Sequence, residues 1–168
     1  MTAQPGGSAE RILAVWPEND ISWGFGLRAP RRLVPARVFF TDSRLLMVKL
    51  VSILSPGFVG TMMAVRAAEL ERKRQNERMR DASPDGLLAS DPENVQVSYR
   101  QVSELTYDKK YLRVKFDSST ARVQPVKAGG FLAYAHPDAV EDPKRMMDQT
   151  IEILKGVPEI SSKIVVRP

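Results

Sequence analysis

The chain has 168 residues and a formal net charge of +5, with 43% hydrophobic and 27% charged residues. This balance is typical of one folded domain of ordinary size and argues against a disordered chain. The sequence contains no cysteine, which excludes disulfides, thiolate metal sites and a cysteine nucleophile, and which fits a cytoplasmic protein. The positive charge favours anionic partners such as lipid headgroups or nucleic acid, although arginine-rich surfaces are also common on proteins without such partners.

Two segments bear on targeting and membrane insertion. Residues 1–9 lack the basic and apolar regions of a secretory signal, so we expect a flexible N-terminal arm. Residues 45–65 carry a single charge, Lys49, and are long enough to cross a membrane. The run Ser55-Pro56-Gly57 interrupts them with a strand-stop and helix-start signal. We therefore predict a strand followed by a buried helix rather than a membrane span.

The first predicted element is a strand at residues 11–16, which ends at Pro17 because proline cannot donate to a ladder. Residues 18–33 follow as a predicted loop rich in glycine, proline and arginine. Trp23 and Phe25 lie in this loop. They either form a hydrophobic plug over one end of a barrel or offer an aromatic pair to a partner or a membrane interface.

The next segment predicts a β-hairpin that nucleates the sheet. Residues 35–40 and 45–54 are apolar runs that flank the polar turn Thr41-Asp42-Ser43-Arg44. Ser55 is a candidate N-cap and Pro56 a first helical residue, so a helix is predicted from there to about Arg80.

This predicted helix has two halves of different character. Its first half has apolar residues at three- and four-residue spacing and should pack against the domain. Its second half, residues 69–81, is almost wholly charged. A charged half is either a solvated helix end or a surface that contacts an oligomer partner or an anionic surface.

Residues 82–92 contain two turn signals and are predicted to be a loop with Leu87 and Leu88 as apolar anchors. Four strands follow as an antiparallel meander with short polar connections. They are predicted at residues 95–99, 102–107, 111–116 and 121–126.

A second helix is predicted at residues 143–155, because Asp142 and Pro143 are a cap and first helical residue and Gly156 with Pro158 stops it. Its apolar side predicts a helix that covers the sheet. Residues 157–168 form a tail, of which residues 160–166 are either an edge strand or unordered.

Seven short strands and a C-terminal amphipathic helix resemble a pleckstrin-homology-like (PH-like) barrel, closest to the prokaryotic PH-like and GRAM-type domains. The turn Thr41-Asp42-Ser43-Arg44-Leu45 is similar to the Thr-x-x-Arg-Leu turn of those families, and residues 97–102 and 108–110 resemble their later hairpin. The resemblance implies an α+β, mainly β fold: an antiparallel seven-stranded barrel over residues 10–156, capped by the C-terminal helix. Residues 55–94 would be a helical insertion between strands 3 and 4, where the family has a short connection.

Such families are mostly binding modules, so the resemblance implies a non-enzymatic module for protein interaction or self-assembly. The alternatives are an anionic membrane surface and, less favoured, nucleic acid. The candidate anion-binding residues are Arg28, Arg31, Arg32 and Arg37. The candidate interaction surface consists of Trp23, Phe25, Arg72, Arg74 and Arg78.

Nucleic acid would bind a basic sheet face, where Arg113, Lys115 and Arg122 interleave with Tyr99, Tyr107 and Tyr111. The alternative is a solvated sheet face with tyrosines at the strand ends. We expect no catalysis, metal or cofactor, because the single histidine, His136, lies in a turn-like segment without flagged partners and Gly129-Gly130 lacks a phosphate-loop sequence.

Overall fold

The computed structural model describes residues 9–25, 31–53, 62–130 and 133–167, with the side chains of Phe25, Arg31, Leu33, Val34 and Tyr134 outside that description. The strands are β1 (Ile12–Phe25), β2 (Arg31–Thr41), β3 (Arg44–Lys49), β4 (Val95–Ser98), β5 (Val102–Asp108), β6 (Tyr111–Phe116), β7 (Ser119–Pro125) and β8 (Ile164–Val166). The helices are α1 (Met62–Arg80), α2 (Pro84–Ala89), α3 (Pro143–Lys155) and α4 (Pro158–Ser161), and Ala133–Ala135 forms a 3-10 turn.

The eight strands form one sheet in the order β4-β3-β2-β1-β7-β6-β5-β8. All pairs are antiparallel except β5 with β8. The outermost strands β4 and β8 do not pair in the described part of the chain, so the sheet is open. The prediction of an α+β, mainly β chain is confirmed, whereas the predicted closed seven-stranded barrel is replaced by an open sheet of eight strands.

The predicted end of the first strand is wrong, because β1 continues through Pro17 to Phe25. A register shift between Trp16 and Asn19 places two residues of β1 opposite one of β2, which is a bulge and therefore a position that tolerates proline. The side chain of Asn19 donates to the carbonyls of Trp16 at 2.9 Å and Ala36 at 3.2 Å. These bonds satisfy backbone acceptors where the ladder is interrupted.

The predicted hairpin of β2 and β3 is confirmed, with Phe40 opposite Leu45. The hydroxyl of Thr41 accepts from the backbone N–H of Ser43 at 3.2 Å and of Arg44 at 2.9 Å, which closes the turn. Strand β3 ends at Lys49 rather than at residue 54. Beyond it, Gln75 of α1 donates to the Lys49 carbonyl and accepts from the Val51 N–H, both at 2.8 Å.

The two halves of α1 pack in the opposite way to the prediction. Met62 and Met63 in the first half are 74% and 81% exposed, whereas Arg72 and Met79 in the charged half are buried. The predicted start at Ser55 and Pro56 lies outside the described residues. Among the described helices, none has a stretch apolar and long enough to span a membrane.

Residues 82–92 were predicted to be a loop but contain α2, with Ser83 as its N-cap. Leu87 is buried and Leu88 is half-buried. A small second core lies between strands β2 and β3 and helices α1 and α2. Its buried members are Phe39, Leu46, Val48, Leu50, Met79 and Leu87. The helices therefore cover one face of the hairpin.

The main core lies between the inner face of the sheet and α3. The predicted helix is confirmed: Asp142 caps it by accepting from the Arg145 N–H at 3.0 Å, and Met147, Ile151 and Leu154 are buried in the core. The indole N–H of Trp16 donates to the hydroxyl of Thr150 at 2.8 Å. The tail left undecided by the sequence contains α4 and the edge strand β8.

A groove between helix α3 and the edge strand

The predicted anion-binding arginines do not converge. Arg28 lies outside the described residues, and of Arg31 only the backbone in β2 is described. Arg32 is exposed and makes a two-point ion pair with Asp20, at 3.2 and 2.5 Å. Arg37 is largely buried, donates to the Pro17 carbonyl at 3.1 Å and lies 3.4 Å from the Asp138 carboxylate. Burial lowers the pKa of Arg37, against the opposing pull of Asp138.

The predicted interaction residues are also dispersed. Trp23 is partly buried against the main core, and of Phe25 only the backbone, in β1, is described. Arg74 and Arg78 are exposed on α1 and pair with Glu71 at 3.6 and 2.6 Å. Arg72 was predicted to lie on a surface, but it is only 1% exposed.

Arg72 belongs to a buried ion cluster, by which we mean Glu18, Arg37, Arg72, Asn76, His136 and Asp138. Arg72 Nη2 lies 3.2 Å from Glu18 Oε2, and Arg72 Nε donates to Asp138 Oδ2 at 2.9 Å. His136 Nδ1 lies 2.9 Å from Glu18 Oε1. Each carboxylate is contacted by cationic or N–H groups of this chain, so the cluster holds α1 against β1.

A groove of about 590 Å³ lies between α3 and the edge strand β8, with Tyr107 of β5 beside it. We call it the α3–β8 groove; it is lined by Tyr107, Asp148, Gln149, Ile151, Glu152, Ile153, Lys155 and Val166. Ile153 and Val166 are 42% and 51% exposed. The groove thus combines accessible apolar side chains with a rim of charged ones.

The edge strand offers backbone groups beside this groove. The backbone carbonyl of Lys163 accepts from the Leu105 N–H, and the backbone N–H of Arg167 donates to the Tyr107 carbonyl, both at 2.9 Å. Because backbone direction alternates along a strand, the N–H and C=O groups of Ile164 and Val166 face away from β5. No described strand lies beyond β8, so this edge can pair with an added strand.

One end of the groove is ordered by a chain of charged hydrogen bonds. Tyr107 donates to Asp148 Oδ1 at 2.6 Å and Lys144 donates to Asp148 Oδ2 at 2.7 Å. Burial and then the hydrogen bond to Asp148 raise the pKa of Tyr107. The hydrogen bond from Lys144, followed by that from Tyr107, lowers the pKa of Asp148. The carboxylate therefore stays ionised at neutral pH and holds α3 against β5.

The predicted basic sheet face is present in part. Tyr99 and Tyr107 are buried on the core side, so two of the three predicted tyrosines do not face the arginines. The third, Tyr111, lies against both Arg113 and Arg122, with guanidinium carbons 5.6 and 4.2 Å from the ring centroid. Lys115 pairs with Glu104 at 3.0 Å.

The sequence named Arg37, Arg72 and His136 in other roles, but it did not single out the acidic residues Glu18 and Asp138 that bring them together. Glu18 and Asp138 are 120 positions apart, and neither lies in a motif. Within the described ranges, no group of three or more histidine or acidic residues has the geometry of a metal site. His136, for which the sequence flagged no partner, contacts Glu18.

Comparison with known proteins gave no matching family model, no similar curated protein and no similar solved structure. The resemblance to PH-like and GRAM-type domains therefore stays a prediction.

Proposed function

We propose that the protein is a non-catalytic binding module that recognises an extended segment of a protein partner at β8 and in the α3–β8 groove. One observation carries this proposal: an apolar groove of about 590 Å³ adjoins a strand whose outer edge is unpaired in the described chain. Added strands bind sheet edges through main-chain hydrogen bonds, and neighbouring pockets select their side chains.

The exposed apolar surface at this edge supports the proposal. Val165, Val166 and Ile153 are each more than 40% exposed. An added strand would cover part of this surface, and removal of apolar area from water contributes about 25 cal/mol per Å². An apolar centre in the partner segment would therefore match the groove.

The charges at this edge favour a partner with acidic flanks. Lys163 and Arg167 bracket β8, and Arg167 makes no ion pair among the described residues, whereas Lys163 Nζ also donates to the Tyr99 carbonyl at 2.6 Å. Lys155 at the end of α3 is already paired with Glu152 of the groove at 2.5 Å, so the flanking cations are Lys163 and Arg167. Acidic residues on either side of an apolar centre would lie opposite these cations.

The same charges oppose pairing with a second copy of the chain. If two β8 strands paired antiparallel about Val165, Lys163 of each copy would face Arg167 of the other. Like charges directly opposite destabilise a strand pair. Of the two kinds of interaction predicted from the sequence, this repulsion favours binding to a different protein over self-assembly. The charged half of α1, which the sequence offered as a surface for self-assembly, instead packs against the sheet of its own chain through Arg72 and Met79.

The test uses a fluorescent synthetic peptide with a Val-Ile-Val centre flanked by two aspartates on each side. It should bind at least tenfold more tightly than a matched peptide with lysine flanks. The variant Ile153→Asp places a negative charge in the groove and should weaken binding of the acidic peptide at least tenfold. Leu70→Asp changes another exposed apolar residue, on α1 and outside the groove, and is the matched control.

Three outcomes would overturn the proposal. The first is no binding of the acidic peptide at about 1 mM, a weak limit for specific recognition. The second is equal weakening by Ile153→Asp and Leu70→Asp. The third is a concentration-dependent dimer in sedimentation that Ile153→Asp abolishes, which would assign the groove to a second copy of the chain.

A further inference from the structure

The outer face of the sheet, away from the main core, carries three arginines in one row across adjacent strands. Arg32 of β2 pairs in register with Ser22 of β1, Ser22 with Arg122 of β7, and Arg122 with Arg113 of β6. We call Arg32, Arg122 and Arg113 the arginine row. Four strands spaced about 4.8 Å apart give the row a length of roughly 15 Å.

Two of these arginines face each other without an acidic partner. Arg32 is paired with Asp20, but neither Arg113 nor Arg122 makes an ion pair within the described residues. Arg122 donates to Gln124 at 3.0 Å and Arg113 to the hydroxyl of Tyr111 at 3.3 Å. Because like charges directly opposite destabilise a strand pair, this arrangement costs stability that an anionic ligand would recover.

Tyr111 holds the two guanidinium groups in place. Arg122 stacks over its ring at 4.2 Å, and Arg113 lies 5.6 Å from the ring centroid. Stacking on an aromatic ring leaves the N–H edge of a guanidinium available, and that edge matches the oxygens of a phosphate. The pair is therefore oriented for phosphate before any ligand arrives.

A polar hollow of about 260 Å³ continues the row toward β2. It is lined by Asp20, Ser22, Arg32, Arg122 and Gln124. The Ser22 hydroxyl and the exposed amide of Gln124 are additional hydrogen-bond donors beside the guanidiniums. Asp20 is the one acid in the hollow, and its carboxylate is already held by Arg32.

We infer that the arginine row binds the phosphate backbone of a single-stranded nucleic acid that crosses β2, β1, β7 and β6. A linear polyanion can contact the whole row, whereas a single headgroup would contact one end of it. Open sheet faces with basic and aromatic side chains bind single strands in several folds. On these four strands the exposed large apolar residues of the described chain are Ile12 and Val15, at the far end of β1 from Ser22. Among the described side chains, none that is large, apolar and exposed therefore lies beside the row to enter a membrane.

This site is separate from the α3–β8 groove, and the test keeps the two apart. The probe is a fluorescein-labelled oligo-dT of about 20 nucleotides, longer than a typical single-strand site, followed by anisotropy between about 50 and 200 mM salt. The double variant R113Q/R122Q should bind at least tenfold more weakly. Its slope of log affinity against log salt should fall by about 1.4, the value for two lost phosphate contacts on a single strand.

The matched control is R74Q/R78Q, which removes the same charge from exposed arginines on α1 and should change binding less than twofold. Ile153→Asp should also leave oligonucleotide binding unchanged, because the groove does not take part. Circular dichroism of each variant checks folding.

The inference is overturned if the wild-type protein does not bind the oligonucleotide at about 50 mM salt, or if both double variants weaken binding equally. A third arm uses vesicles of phosphatidylcholine with one-fifth phosphatidylserine. Co-sedimentation that depends on Arg113 and Arg122, without oligonucleotide binding, would assign the row to a membrane surface and also overturn the inference.

Discussion

Arg72 of α1 and Glu18 of β1 form an ion pair that is closed to solvent, with Nη2 and Oε2 3.2 Å apart and both side chains at most 1% exposed. Arg72 also donates to Asp138 at 2.9 Å and to the Val51 carbonyl at 2.6 Å. These contacts join α1, β1, the segment that follows β3 and the segment that precedes α3. The helix that interrupts the strand pattern is therefore part of the domain and is fixed at its charged half.

The first prediction concerns this pair. Replacing Arg72 with alanine removes the cation shared by the buried Glu18 and the partly exposed Asp138, and removal of one partner from a buried ion pair costs about 3–5 kcal/mol. Urea unfolding followed by circular dichroism should show a loss of that size. Arg74→Ala, an exposed change two residues away, should stay within about 0.5 kcal/mol. A loss below about 1 kcal/mol for Arg72→Ala would show that the cluster does not hold α1 in place.

Local sequence signals predicted the parts of this fold that depend on neighbours in the chain. The hairpin at Thr41, the strands from Val95 to Pro125 and the cap at Asp142 all formed within a few residues of their predicted positions. The predicted four-stranded meander is wrong in its first step, because Val95–Ser98 pairs with β3 and only β5, β6 and β7 follow one another as a meander. The packing of α1 could not be predicted in this way. A run of charged residues predicts a solvent-exposed helix face. Arg72 is nevertheless buried, because it pairs with Glu18 and Asp138, which are distant from it in the sequence.

The second prediction concerns the contact that fixes α3 on the sheet. Thr150→Val keeps the side-chain shape but leaves the buried indole N–H of Trp16 without its acceptor. An unpaired buried donor costs about 1–3 kcal/mol. Thermal or urea unfolding should show that loss, and Thr120→Val on the exposed side of β7 is the control. Equal stability of the two variants would contradict a role for the Trp16 bond.

The third prediction is a pH dependence at the hairpin turn. Burial alone would raise the pKa of the Glu10 carboxyl, but hydrogen bonds from Arg44, Thr41 and Ser43 outweigh it and hold that pKa below its ordinary value of 4.5. A folded pKa below the unfolded one stabilises the protein above about pH 4.5, and this contribution is lost as pH falls through the folded value.

The variant Glu10→Gln should therefore lose about 1 kcal/mol of unfolding free energy at pH 7, since part of the interaction is screened by solvent. Unfolding curves of variant and wild type should converge as the pH falls below about 4.5. A stability difference that stays constant from neutral to acidic pH would show that the Glu10 charge does not contribute.

The candidate sites were less predictable than the fold, and for a physical reason. The α3–β8 groove exists because residues 164–166 pair with β5, and a three-residue run of Ile, Val and Val after a helix does not indicate whether it pairs at all. By contrast, alternation in Tyr111–Phe116 correctly placed Arg113 and Lys115 on one face. What alternation could not supply was the register that sets Arg113 opposite Arg122.

That register gives the last prediction, in which stability and binding change in opposite directions. Arg113→Glu replaces a like-charged cross-strand pair with an oppositely charged one and should raise the free energy of unfolding by about 0.2–1 kcal/mol. The gain should shrink in high salt, because salt screens charges at the surface. The same variant should lose oligonucleotide affinity, since it removes one cation from the arginine row and adds an anion.

Arg74→Glu, which breaks the exposed pair with Glu71, is the control and should show neither the gain in stability nor the loss of binding. A variant Arg113→Glu that is less stable than the wild type at low salt would mean that the contacts of Arg113 with Tyr111 outweigh its repulsion from Arg122, and the strain attributed to the row would be absent.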